Sequence, residues 1–167
     1  MTRRPEKAFA LAALAACGAA LLVAEAAQHL LGFIPCEFCL LERWPYRIGI
    51  GVALLAWASP RRPARMLLWG LVVVLLAASG LSLTHTGVEL HWWPDPIAAC
   101  SVPDFRGMTI AQRLAAMPAR PAKSCGEPDF LIPGLPVSMT QMGLIYALAV
   151  CLCLAICLTR SRGRFLR

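Results

Sequence analysis

The sequence predicts an all-α membrane protein, a four-transmembrane-helix bundle with a long outer loop that carries a short amphipathic helix. Three observations predict it. The 167 residues are 59% hydrophobic, with a mean hydropathy of +0.65, which few soluble domains reach. The apolar residues gather into four stretches free of charge. The basic residues gather at the two ends and at one connection, and four cysteines fall in the connections on the other side.

The elements follow in order. Ala8 to Ala24 carries no charge, and its apolar character continues to Ile34, giving a helix over about 8–33. Arg3, Arg4 and Lys7 before it mimic a signal peptide. The run is too long for such a segment's core, and no small-x-small cleavage site with polar flanks follows, so a retained first helix is expected. Ile48 to Ser59 is apolar but short, and it reaches the roughly 17-residue lower limit for a crossing only if the helix starts near Leu41, giving 41–59. Met66 to Leu83 gives 65–86, and the uncharged stretch Phe130 to Thr159 gives 138–159. The outer connections are then about 34–40 and 87–137, and the whole chain, 1–167, forms one membrane domain.

Charge orients the bundle. Arg3, Arg4 and Lys7, then Arg61, Arg62 and Arg65, then Arg160, Arg162, Arg164 and Arg167 belong on the cytoplasmic side. The long loop holds four Lys/Arg against five Asp/Glu and has no basic excess. The net charge of +7 is therefore a topology signal, and no nucleic-acid partner is expected.

Of eight cysteines, Cys17, Cys151, Cys153 and Cys157 lie within predicted helices and read as small packing residues. Cys36, Cys39, Cys100 and Cys125 fall in the outer loops, where disulfides persist. Four cysteines allow three pairings; the local one, Cys36–Cys39 with Cys100–Cys125, is the expected resting state. No metal is expected from spacing. Zinc ribbons pair one C-x-x-C with another, whereas Cys100 and Cys125 are 25 apart, and Leu40 stands where haem attachment needs His.

The segment "PCEFCLLERWPYR", Pro35 to Arg47, concentrates the chemistry. A C-x-x-C bridge closes too small a loop to stabilise a fold, and the spacing is typical of redox-active dithiols. With a helix starting just after Cys39, that sulfur sits near the N-cap, where unpaired N–H groups favour an anion. Arg43, one turn on, adds a fixed positive charge, so Cys39 is expected to be the stabilised thiolate. Trp44 and Tyr46 fit an interfacial belt, Arg47 snorkels to headgroups of the membrane lipid, and Pro45 is tolerable near a helix start.

These residues resemble the DsbB family, four-helix bacterial inner-membrane proteins that reoxidise DsbA by passing electrons to quinone. "PCEFCLLERWPYR" is similar to the family's Pro-Cys-x-x-Cys followed by arginine. "THTGVELHWWPDPIAAC" and "CGEPDFLIPGLPVSMTQMGL" resemble the segments around its third and fourth cysteines. The likeness covers nearly the whole chain. Glu42 stands where many members have Gln, Glu37 and Phe38 replace a small or apolar pair, and Arg47 is unusual beside Tyr46.

The resemblance implies a mechanism, in which Cys36, Cys39, Cys100, Cys125 and Arg43 are the catalytic set. A periplasmic, thioredoxin-fold DsbA-like partner attacks Cys100 in the periplasmic loop and releases Cys125. Electrons then reach Cys36–Cys39, and Cys39 hands them to quinone (ubiquinone or menaquinone). DsbA is a strong oxidant, at about −120 mV, so its reoxidation needs an acceptor more oxidising than ordinary structural disulfides. The prolines of the long loop, from Pro94 to Pro128, can keep Cys100 exposed. "MTIAQRLAAM" places Met108, Ile110, Leu114 and Met117 near helical spacing, as a short amphipathic helix on the membrane.

Further polar residues are candidates for the quinone site. Glu25 and His29, four apart, share a helix face with Gln28 nearby, and they either line the site or pair with each other. His85, near the end of the third helix, is a quinone neighbour or proton relay, or else a helix-terminal histidine bonded to carbonyls. The expected quinone-contacting set is Arg43, Cys39, His29, His85 and Glu25. Two rival readings stand beside this one. A vitamin K epoxide reductase-like enzyme would carry its quinone-facing C-x-x-C late in the chain, whereas here it comes early. A non-catalytic membrane scaffold would use the disulfides only as braces.

Overall fold

A computed structural model describes residues 5–96, 107–116, 123–132 and 134–163. Five helices occur in it: α1, Pro5–His29; α2, Glu37–Ala58; α3, Arg61–Glu89; α4, Ile110–Ala116; α5, Met139–Gly163. No strand occurs among the described residues.

Each boundary has a local cause. Proline suits the first turn of α1 because its missing N–H would have no partner there, and Glu6 follows it at the positive end of the helix. Ser59 ends α2, its N–H and hydroxyl both donating to the Leu55 carbonyl, and Pro60 cannot continue that helix. The end of α3 is a Schellman turn. Trp92 N–H reaches the Gly87 carbonyl, His91 N–H reaches Val88, and His91 takes the left-handed conformation with φ 58°. The Trp93 ring lies on Gly87, where any Cβ would stand 1.9 Å from a ring carbon, and its N–H donates to the Thr84 carbonyl. Two S/T-x-x-Q capping boxes start the last two helices: Thr109 with Gln112 for α4 and Ser138 with Gln141 for α5.

Helix α3 is central. It packs against α2 and α5, and α1 packs chiefly against α2. Leu68, Leu71 and Leu75 of α3 meet Leu154 and Leu158 of α5, with Ala10, Ala13 and Cys17 of α1 and Ala53 and Ala56 of α2 around them. Small residues bring the backbones close. A Cβ on Gly49 would lie 2.8 Å from Cys17 Sγ, so α1 and α2 approach there by virtue of the glycine. Tyr146 of α5 donates to the Ala16 carbonyl of α1.

Far from the cysteine motif, Arg61 Nε pairs with Glu6 at 2.9 Å, and Arg65 donates to the Leu158 carbonyl at 2.6 Å, tying α3 to the last turns of α5. The outward faces of the long helices are apolar: Leu22, Met66, Val73 and Leu152 are all exposed. In water such a surface would aggregate; against lipid it is satisfied. Helices α1, α3 and α5 are long and apolar enough to cross a membrane. Helix α2 carries Glu37, Glu42, Arg43 and Arg47 in its first half and falls short of that apolarity.

The expected start of the second helix near Leu41 is corrected. Hydropathy locates only the apolar part of a helix, and α2 extends four residues further toward the cysteines, to Glu37. Between α3 and α5 the short helix α4 forms, with Ile110 and Leu114 largely exposed.

Candidate thiol site

Because α2 starts at Glu37, its N-cap is Cys36. The Cys36 Sγ accepts the N–H of Cys39 at 3.2 Å, the contact that a serine or aspartate makes at other helix starts. Cys39 lies in the first turn, partly exposed, with its sulfur beside that of Cys36. Cys39 is thus near the N-cap, as expected, but the sulfur at the cap itself is that of Cys36. The free N–H groups address Cys36. Its thiol is held below its ordinary value, first by the hydrogen bond from the Cys39 thiol and then by the Cys39 backbone N–H, against the opposing effect of burial. Both cysteines are free thiols in this structure, which shows the dithiol form of the pair.

The third member comes from α3. His85 is buried, and its Nε2 lies 3.5 Å from Cys36 Sγ. Its Nδ1 lies 3.0 Å from Glu42 Oε1. The Phe38 ring stacks on the imidazole at 5.2 Å, with 16° between the planes. Phe38 and Glu42 are four apart on α2, so one helix face supplies both the stacking ring and the carboxylate. The sulfurs of Cys36 and Cys39 and a ring nitrogen of His85 all lie within 4.8 Å of one another.

The hydrogen bonds of Arg43 go to α1. Arg43 is buried, and one terminal nitrogen donates to Glu25 Oε1 at 3.0 Å while the other reaches the Ala24 carbonyl at 3.4 Å. Burial in a bundle forces an arginine to find a carboxylate, and α1 supplies one. Glu25 also pairs with His29 at 3.2 Å and lies 3.9 Å from Arg47.

A cavity of about 300 Å³ opens beside these groups, with Cys36, Cys39, Glu42, Arg43, Tyr46 and His85 on its wall and mostly apolar residues of α1 and α5 around them. Gln28 also lines it; Glu25 and His29 do not. Glu25 touches the site through Arg43, and His29 is exposed. Two buried polar atoms of the wall have no partner, Arg43 Nε and Gln28 Oε1. Cys125 is buried, disulfide-bonded, and packed in one cluster with Cys36, Phe38 and Val88. Its expected partner Cys100 lies outside the described residues. Lys123, paired with Asp129, completes the rim.

Sequence reasoning missed the contacts of Phe38 and Glu42 with His85 and the place of Gln28. The i, i+4 spacing of Phe38 and Glu42 was the available signal; it shows a shared face but not what the face meets.

An apolar helix bundle with a dithiol at a helix N-terminus, a buried histidine behind it and a disulfide against it defines a membrane protein built around thiol chemistry. The family model of disulfide bond formation protein DsbB matches residues 6–157, and the chain belongs to that family. Similar proteins include disulfide bond formation protein B of Verminephrobacter eiseniae (strain EF01-2), 31% identical over 96% of this chain and 90% of the relative. That of Albidiferax ferrireducens is 27% identical over 96% and 91%, and that of Paracidovorax citrulli is 34% identical over 62% and 58%. No solved structure matches the chain.

Proposed function

We propose that the chain is a quinone-linked thiol–disulfide oxidoreductase of the bacterial inner membrane, which reoxidises a DsbA-like periplasmic dithiol. The observation that carries this reading is the position of the Cys36–Cys39 dithiol, between a cavity with two unsatisfied polar atoms and the cluster that holds Cys125. In this reading α2 is the fourth crossing, at 22 residues and about 33 Å, the termini are cytoplasmic and the cysteine loops periplasmic.

The residues on the wall fit a quinone ring. The volume is at the lower end of small-molecule sites, the wall is mostly apolar, Arg43 Nε can donate to a ring oxygen, and Gln28 Oε1 can accept from the hydroxyl of the reduced ring. Quinone, when bound, supplies an acceptor for two electrons and two protons. The chain's own groups do the rest. The partner's thiolate attacks Cys100, a sulfur–sulfur bond forms between them, and Cys125 leaves as thiolate. The partner's second thiol then displaces Cys100 and departs oxidised. The Cys100–Cys125 dithiol passes its two electrons to the Cys36–Cys39 disulfide by the same exchange. In the dithiol so formed, His85 Nε2 is placed to take the Cys36 proton, with Glu42 steadying the ring. Arg43 and Gln28 would hold the acceptor, and Cys36 and Cys39, on giving up two electrons and two protons, would close again to the disulfide.

Purified protein is to be mixed with a reduced DsbA-like protein and quinone, and the quinone absorbance followed. One quinone consumed per partner dithiol is expected. No quinone loss with all four loop cysteines intact overturns the reading.

A further inference from the structure

We infer that the reduced Cys36–Cys39 dithiol and the Nε2 of His85 form a binding site for a thiophilic divalent metal ion of the zinc type, open only while the pair is reduced. The inference does not depend on quinone or on a partner protein; it needs only the dithiol state.

Geometry carries it. The three donor atoms lie within 4.8 Å of one another, and Cys36 Sγ to His85 Nε2 is 3.5 Å. A tetrahedral zinc centre has Zn–S of about 2.3 Å and Zn–N of about 2.0–2.1 Å, which sets the S···N edge at about 3.5 Å. An ion can thus sit between these atoms with little movement of either helix.

The surroundings carry it further. Zinc-ligating histidines donate their other ring nitrogen to a carboxylate, which fixes the tautomer and strengthens the ligand. His85 has that arrangement already, with Nδ1 on Glu42 at 3.0 Å and the ring held flat under Phe38. Two protein thiolates, one neutral imidazole and a doubly charged cation sum to zero charge, which suits a buried site. A Cys2His set leaves the fourth position open, as in catalytic zinc sites, and here the adjoining cavity faces it. Sequence spacing could not reveal the set, because His85 is 49 residues from Cys36.

Binding exchanges two thiol protons for one ion, with no electron transferred. When Cys36 and Cys39 form a disulfide, both thiolate ligands vanish and the ion is released. An ion bound to the dithiol conversely holds the pair reduced by mass action.

The test uses the full-length protein in detergent, with Cys100→Ser and Cys125→Ser so that only one loop pair remains, reduced by a phosphine that is then removed. Titration with Co²⁺ is expected to give a thiolate-to-metal charge-transfer band and tetrahedral visible bands. These saturate at one equivalent, are displaced by Zn²⁺, and accompany release of two protons per ion. Oxidised protein is expected to give none. Glu42→Gln, which keeps the side chain's volume, is expected to weaken zinc binding roughly 10- to 100-fold with an unchanged thermal midpoint, and His85→Ala by at least as much. A reduced protein without the band overturns the inference. So do bands that survive Cys36→Ala, or undiminished zinc affinity in both His85→Ala and Glu42→Gln, which would reduce the site to a bare dithiol.

Discussion

Among the described residues, two close arginine–glutamate pairs, at 3.0 Å or less, join helices, and they are buried in opposite senses. In the pair between α1 and the start of α3, the Glu6 side chain is 2% exposed and Arg61 is 45% exposed. In the pair at the cavity, the Arg43 side chain is 9% exposed and Glu25 is 41% exposed. The first arrangement hides an acid, lets the base reach outward, and ties the start of α1 to the start of α3. The second hides the base, keeps its Nε unpartnered on a cavity wall, and leaves the acid outside to hold it. The same chemical pair is a clasp in one place and an aimed charge in the other.

The largest expected effect is at the thiols, where nothing but function is at stake. Cys36→Ser is expected to reduce quinone turnover to the uncatalysed background while the thermal midpoint stays near that of the parent, since serine also caps a helix. A variant that still turned over would remove Cys36 from the chemistry.

The two pairs should then separate cleanly. Arg61→Ala strands the buried Glu6 carboxylate and is expected to cost roughly 3–5 kcal/mol in chemical denaturation. Arg43→Ala leaves Glu25 in solvent contact, so its stability cost should be smaller. Its expected signature is a roughly 10- to 100-fold rise in the Michaelis constant for quinone, the worth of a charge-assisted hydrogen bond. The exchange with a DsbA-like protein should change little. Equal stability losses in the two variants, measured by the same denaturation curves, would erase the contrast.

A smaller effect is expected where the helices touch without charge. Gly49→Ala forces a Cβ against Cys17 and should cost about 1–3 kcal/mol. Cys17→Ala in the same chain should recover part of it, a coupling that a double-mutant cycle reads directly.

The smallest expected effect is a pH shift at the dithiol. Cys36 has its titration lowered in the folded protein, so its thiolate should appear below the ordinary thiol value of about 8.5 and be lost as pH falls through the lowered value. Cys39→Ala removes the first cause, and the ultraviolet thiolate signal should move to higher pH. No movement would mean that the helix N-terminus alone sets it.

Much of this was legible in the sequence. Charge-free runs mark the long helices because lipid tolerates nothing else, and the cysteine spacing marks the thiol centre. Two features were not legible. The start of α2 lies beyond its apolar part, so hydropathy could not show that Cys36 and not Cys39 caps the helix. Arg43 reaches across to Glu25 of α1, and His85 across to Cys36 and Glu42 of α2; such contacts depend on how helices rotate against one another, which a local pattern does not contain. Glu42 shows the gap well. As a letter it was only a departure from a common Gln; in space it is the group that holds His85.

Pro45, buried within α2, has a consequence for how this machine moves. Proline brings no N–H, so the Leu41 carbonyl, four residues back, lacks its rung in the helical ladder. The missing rung falls between the turn that bears Cys36, Cys39 and Glu42 and the stretch from Gly49 to Ala56 that is wedged among its neighbours. In the proposed cycle two sulfurs draw together and part again. A continuous rod would pass that tug down its whole length and disturb the packing below. With one rung absent, the upper turns can flex on their own, as a hinge above a fixed post.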